Sequence, residues 1–251
     1  LYEASLLPCF SAHLMPEGKS LHFISLIPDP GHARDSSLSY MVGAAARRFA
    51  SRIDYVVDGS GVVDHGVLAA AVADAQATAE AVLMLGTAFA FMNVIEHSDA
   101  CLGPLPQGSR IMETGGFKGR GRAVPRDELY EAMSRATSVP VERIVNEYGM
   151  TELLSQLYEP VLTGESLGCG HIAPPWLQVR AVDPTTLRDL PEGEAGLLTF
   201  FDLANAGSVA HILTEDFGAV RDGRVFLEGR AAGVEPRGCS RAMDELMAVA
   251  R

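Results

Sequence analysis

Apolar residues along the first two-thirds of the chain follow two patterns in turn. Short, nearly continuous apolar runs at residues 21–27 (LHFISLI), 53–57 (IDYVV), 81–85 (AVLML), 110–113 (RIME) and 143–146 (RIVN) read as strands. Between them, residues 38–52, 66–78, 89–97 and 127–135 read as helices, the last introduced by Pro125 near its first turn. A further helix-like stretch covers residues 1–15. Strand and helix alternating at this spacing predict parallel α/β packing. After residue 170 the pattern changes. Residues 176–183, 196–203, 209–216 and 224–229 are short strand candidates, separated by the turn signals Asp183-Pro184, Pro191-Glu192-Gly193 and Asp222-Gly223. The expected fold is α/β: a layered parallel sheet with flanking helices, followed by a small mostly-β subdomain. The expected division is residues 1–170 for the α/β core, 171–230 for the β subdomain and 231–251 for a C-terminal tail.

Composition narrows the picture only in places. With 251 residues, 47% hydrophobic and 21% charged, the chain can bury one sizeable core. A net charge of −12 disfavours nucleic acid and anionic membrane as partners. No run reaches the roughly 18 apolar residues of a membrane span; the richest, residues 81–95, is broken by Gly86, Thr87 and Asn93. The cysteines stand far apart, at 9, 101, 169 and 239, with no C-x-x-C pair. That spacing argues against a zinc site or a disulfide framework and fits a reducing cytoplasm. No signal peptide is visible. Cys9, Cys101 and Cys169 read as plain core or loop residues. Of 20 basic residues only Lys19 and Lys118 are lysines, so chemistry that needs an amine has two candidates.

In open α/β sheets, ligands sit beyond the carboxyl ends of the strands. Three segments could meet there: residues 114–122 (TGGFKGRGR), residues 148–152 (YGMTE) and Thr214-Glu215-Asp216. Together they hold what a nucleotide needs. Glycines let the backbone approach a flat base. An aromatic face can stack on it, and a hydroxyl can bond a phosphate oxygen. Carboxylates can take ribose hydroxyls or Mg²⁺, while Lys118, Arg120 and Arg122 can neutralise phosphate charge.

The chain resembles the adenylate-forming (acyl-activating) superfamily at Tyr148-Gly149-Met150-Thr151-Glu152, its Y-G-x-T-E element. Gly193-Glu194-Ala195-Gly196 resembles the G-E-x-G turn, and Gly229-Arg230 the G-R hinge. Thr214-Glu215-Asp216 stands where the superfamily has [ST]-G-D, with Glu215 replacing the glycine. METGGFKGR (112–120), IVNEYGMTEL (144–153), TEDFG (214–218) and EPRGCS (235–240) are more similar still to the LuxE-type acyl-protein synthetase branch. The resemblance implies that Tyr148 stacks on adenine beside Gly115, Gly116 and Gly149, and that Thr151 contacts the α-phosphate. It further implies that Glu152 holds Mg²⁺ and that Asp216 binds the ribose hydroxyls with Arg230 nearby. The implied substrates are ATP and a fatty or other carboxylic acid, joined as acyl-AMP. The acyl group then passes to a cysteine and on to an acyl-reductase or carrier-protein partner.

Cys239 is also a candidate on its own surroundings. Arg237 and Arg241 flank it, and Ser240 is a good N-cap for a helix whose apolar face is Met243, Leu246, Met247 and Ala250. A helix N-terminus and two arginines favour the thiolate, while Glu235 opposes it. Two departures from the superfamily stand out. A phosphate loop of type T-S-G-[ST]-T-G is absent, and Asp58-Gly59-Ser60-Gly61 does not replace it; an upstream segment is expected. Only a short tail follows Gly229-Arg230, too short for the lid that carries the superfamily's lysine. Lys118 is then the better of the two lysines to steady charge on the phosphates. Two other readings are open: a phenylacetate-type acyl- or aryl-CoA ligase, and a non-catalytic nucleotide-binding scaffold that docks a reductase or carrier protein. No G-x-S-x-G elbow supports a serine hydrolase.

Overall fold

A computed structural model describes residues 1–58, 61–97, 102–115 and 124–230. Strands β1 (Leu21–Ser25), β2 (Ala50–Tyr55), β3 (Val82–Thr87), β4 (Arg110–Thr114) and β5 (Ile144–Tyr148) run parallel in the order β2-β1-β3-β4-β5. Every residue of β1, β3 and β4 is buried, so both faces carry mostly apolar side chains, with polar ones such as His22, Arg110 and Glu113 hydrogen-bonded within the fold. That is why these strands appear in the sequence as nearly continuous runs rather than alternations.

Helices cover both faces. On one side, α1 (Tyr2–Leu14) and α2 (Ser37–Phe49) set Leu6, Phe10, Met41 and Val42 against Phe23, Leu85, Met112 and Val145. On the other, α3 (His65–Thr78), α4 (Ala88–His97) and α5 (Arg126–Thr137) set Leu68, Phe91, Leu129 and Met133 against Ile24, Met84, Ile111 and Ile144. Neighbouring residues of one strand, such as Ile111 and Met112, thus feed opposite cores, as the two-residue period of a strand requires. Ser36 caps α2 by accepting from the Ser39 amide at 3.1 Å, and Asp64 caps α3 by accepting from Val67 at 2.9 Å.

Beyond β5 the sheet continues in the antiparallel sense. Strands β6 (Leu157–Tyr158), β7 (His171–Ile172), β8 (Leu177–Val182), β9 (Ala195–Asp202), β10 (His211–Arg221) and β11 (Arg224–Arg230) follow in the order β5-β6-β7-β11-β10-β9-β8. Leu157, Leu177, Leu198, Phe200 and Val225 form a third core beneath them. At the β10–β11 hairpin Asp222 and Gly223 both take positive φ, 51° and 71°, as a tight two-residue turn needs. The fold is α/β, with a parallel part of the sheet flanked by helices and an antiparallel part that continues it.

The structure differs from the sequence reading at several elements. The helix expected over 38–52 ends at Phe49, because Ala50 turns extended (φ −77°, ψ 142°) and joins β2. The two-residue strands β6 and β7 are too short to leave a periodic signal. Strand β10 runs on to Arg221, past a register shift between Leu213 and Phe217 that breaks its alternation. Among the described residues, no helix is long and apolar enough to cross a membrane.

Candidate functional site

The site lies where the sheet changes from parallel to antiparallel. Strand β5 ends at Tyr148, whose side chain leans away from the parallel core toward β9 and β10. Its ring stacks on Phe200, centroids 5.8 Å apart and planes tilted 23°. Its hydroxyl donates to Asp216 Oδ2 at 2.6 Å. Burial first, and then the Asp216 carboxylate, hold the phenol well above its usual pKa, so it remains a donor. Arg230, the last residue of β11, donates from Nε to Asp216 Oδ1 at 3.0 Å. Strand pairing dictates this meeting, since Asp216 stands opposite Arg230 in the β10–β11 register. Glu215, the residue that replaces the superfamily's glycine, is half exposed and lies 3.8 Å from Arg230 Nη1.

Past Tyr148 the chain turns outward. A Cβ on Gly149 would come within 2.6 Å of Glu147 Oε1, so a side chain here would have to displace that carboxylate. Thr151 is exposed, and its hydroxyl lies 3.1 Å from that of Ser37 in the first turn of α2. Glu152 is exposed too, and its backbone carbonyl accepts from Asn205 Nδ2 at 2.8 Å. Gly115, just after β4, takes φ +75°, a conformation that favours glycine. Gly116, Lys118, Arg120, Arg122 and Cys239 lie outside the described residues.

Between this loop and helices α1 and α2 lies a cavity of about 310 Å³. Tyr2, Leu38, Met41, Met150, Leu153 and Leu154 supply apolar wall, and Thr114, Glu147 and Gln156 a polar floor. Thr114 Oγ1 donates to the buried Glu147 carboxylate and, at 3.2 Å, to the Glu147 carbonyl. Sequence reasoning placed Thr114 in a candidate segment without giving it a role, and missed Glu147 and the contribution of α1. The signal was present: Thr114 and Glu147 each sit one residue from a glycine or aromatic that was singled out, and they pair across β4–β5.

A second polar group occupies the opposite sheet face. Glu113 Oε2 accepts from Asn146 Nδ2 at 2.5 Å and from the Tyr130 hydroxyl at 3.2 Å. Asn146 Oδ1 lies 2.7 Å from His171 Nε2. Arg126 donates to Glu159 Oε1 at 2.8 Å and to the Tyr130 hydroxyl at 3.0 Å. Burial pushes Glu113 up to about 7, so it titrates near neutral pH, and pushes His171 down to about 4, so its ring is neutral there. A neutral His171 donates from Nε2 to Asn146. Among the described residues, no group of three or more His, Cys, Asp or Glu side chains could hold a metal ion. Mg²⁺ often takes only one or two protein carboxylates, with substrate phosphates completing its shell. The exposed Glu152 beside Thr151 fits that simpler role.

The sequence pattern of the family described as acyl-protein synthetase, LuxE, matches residues 10–248. The chain belongs to the LuxE family. Among curated proteins, the long-chain-fatty-acid–luciferin-component ligase of Vibrio harveyi is 31% identical over 114 residues, which are 45% of this chain and 29% of that protein. The ligase of the same description from Aliivibrio fischeri is 43% identical over 49 residues, 20% of this chain and 13% of its own length. The matched stretches thus span less than a third of these relatives. Among solved structures, ATP-bound MatB from Rhodopseudomonas palustris superposes with a TM-score of 0.64 at 14% identity, covering 91% of this LuxE-family chain and 44% of MatB. O-succinylbenzoate coenzyme A synthetase (MenE) from Bacillus subtilis, in complex with AMP, gives 0.58 at 14% identity, covering 92% and 45%. At such identities the likeness is one of fold, that of the adenylate-forming enzymes.

Proposed function

We propose that the full chain activates a carboxylic acid, a fatty acid foremost, as acyl-AMP and then transfers the acyl group to Cys239. The observation that carries this reading is the junction of Tyr148 and Asp216 at 2.6 Å beside a largely apolar cavity. An aromatic face, a ribose-binding carboxylate and an acid pocket would then share one strand-end crevice. The names of the Vibrio and Aliivibrio relatives, both fatty-acid ligases, support the substrate class. The ATP and AMP in the MatB and MenE structures support the nucleotide.

In this reading adenine lies against Tyr148 with Gly115, Gly116 and Gly149 at its edges, and Asp216 with Arg230 takes the ribose hydroxyls. The substrate carboxylate attacks the α-phosphorus of ATP, and pyrophosphate leaves. Thr151 donates to an α-phosphate oxygen, and Lys118 balances charge on the departing phosphates. Glu152 holds the Mg²⁺ that accompanies ATP and offsets its negative charge. The Cys239 thiolate next attacks the acyl carbon, a thioester forms, and AMP leaves. The acyl group then moves to a reductase or carrier-protein partner.

The test is ATP–pyrophosphate exchange by the full chain with a panel of radiolabelled acids, followed by denaturation and hydroxylamine treatment. Exchange together with a hydroxylamine-labile label, lost in Cys239→Ser, is the expected result. No exchange with any acid would sink the reading. Exchange that persists in Cys239→Ser, with label passing to free coenzyme A, would instead select a CoA ligase.

A further inference from the structure

A turn at the end of β9 reaches across to the loop that carries Thr151 and Glu152. Asp202 closes β9, and a single 3₁₀ turn, Leu203–Asn205, follows. Asp202 is fully buried, at 0% exposure. Its Oδ2 accepts from the Leu154 amide at 3.0 Å. Its Oδ1 accepts from the Ser155 hydroxyl at 2.9 Å and from the Ala204 amide at 3.0 Å. Asn205, 5% exposed, donates from Nδ2 to the Glu152 carbonyl at 2.8 Å and to the Val209 carbonyl at 3.0 Å. Trp176 donates to Ser155 at 3.0 Å from the other side.

A carboxylate without solvent is costly unless its oxygens are hydrogen-bonded. Here two of the three donors belong to the segment just after Glu152. A buried amide placed against the Glu152 carbonyl adds a fixed point at the front of the same segment. Neither Asp202 nor Asn205 lines the cavity, and neither touches Tyr148 or Asp216.

We infer that Asp202 and Asn205 are positioning residues for the reaction: from the β9 turn they fix residues 152–155, and so the height at which Thr151 and Glu152 stand over the cavity mouth. Small displacements of a group that acts on the reacting atoms cost far more in turnover than in substrate binding. This inference rests on the acid-activating reading above.

Asn205→Asp is the sharpest probe, because it keeps the shape and removes both donated hydrogen bonds. Pyrophosphate exchange by the full chain should lose at least tenfold in kcat per folded molecule, with KM for the acid within threefold of the parent. Asp183→Asn, a half-buried residue of the β8–β9 turn, serves as control and keeps the parental kinetics. If the parent exchanges and Asn205→Asp holds kcat within twofold, the positioning role is overturned while acid activation stands. A rise in KM that matches the fall in kcat also overturns it. If the parent exchanges with no acid, both ideas fall. Should Asn205→Asp not fold, Asn205→Ala removes the same donors without adding charge and is read by the same criteria.

Discussion

Two single residues can be weighed directly. The Tyr148 hydroxyl and Asp216 form a charge-assisted hydrogen bond at 2.6 Å, with Asp216 only 17% exposed. Tyr148→Phe leaves the Asp216 carboxylate to Arg230 and solvent. We expect a loss of about 1.5 kcal/mol of stability, since hydrogen bonds to charged groups contribute about 1.5–3 kcal/mol. Urea unfolding measures it, and an unchanged midpoint would show that solvent already replaces the phenol. His171 and Glu113 predict a pH signature. His171 is held at about 4 against an ordinary 6.5, so its stabilising contribution is lost as pH falls through that window. Glu113 is held at about 7 against 4.5, so its contribution is lost as pH rises from 4.5 to 7. The slopes oppose and largely cancel between about pH 4.5 and 6.5 in the parent. Glu113→Gln removes one of them. Relative to the parent, its stability should climb with pH across that range by up to about 1.4 kcal/mol per pH unit. Parallel curves for the two proteins would contradict the assignment.

At the scale of elements, the glycines of the G-E-x-G segment answer to the sheet as much as to any ligand. Gly193 takes φ +85°, and a Cβ on Gly196 would stand 2.3 Å from the Val182 carbonyl oxygen and 2.5 Å from Leu190 Cδ1. Gly196→Ala must therefore push β8 and β9 apart, at a cost of about 2 kcal/mol or more, as overpacking typically exacts. Thermal unfolding would show it. A melting temperature equal to the parent's would mean that β8 yields freely at this edge. The strands β1 and β3 were legible because burial on both faces forces nearly continuous apolar runs, and β4 and β5 through the short apolar pairs Ile111-Met112 and Ile144-Val145 that feed opposite cores. The end of α2 was not, because Arg47-Arg48-Phe49-Ala50 carries no glycine or proline and only pairing to β1 draws Ala50 into a strand. Tyr148, Gly149, Asp216 and Arg230 were legible through motif spacing. Asp202 and Asn205 were not, because their partners are backbone atoms and a hydroxyl some fifty residues upstream. No local pattern records such a contact.

At the scale of the molecule, ligand and stability are linked. On the proposed function, a non-hydrolysable acyl-AMP analogue should bind the folded chain and not the unfolded one. At one hundred times its dissociation constant it should add about 2.7 kcal/mol. For a chain of this size that raises the melting temperature by roughly 5–10 °C. AMP alone should shift it less, and Asp216→Ala should abolish the AMP shift while keeping the fold. Equal shifts for AMP in parent and Asp216→Ala would detach the carboxylate from the sugar.

The two polar groups sit back to back on the same pair of strands. Glu113 and Asn146 face the α5 side, while their immediate neighbours Thr114 and Glu147 form the cavity floor. One peptide unit separates each inward residue from its outward neighbour, so neither wall can shift without carrying the other along. If the cavity holds the acid, as proposed above, changes at Tyr130, Arg126 or Glu159 should alter which acid supports pyrophosphate exchange. A mutational survey that screens only the visible lining of the chamber will overlook the layer behind it.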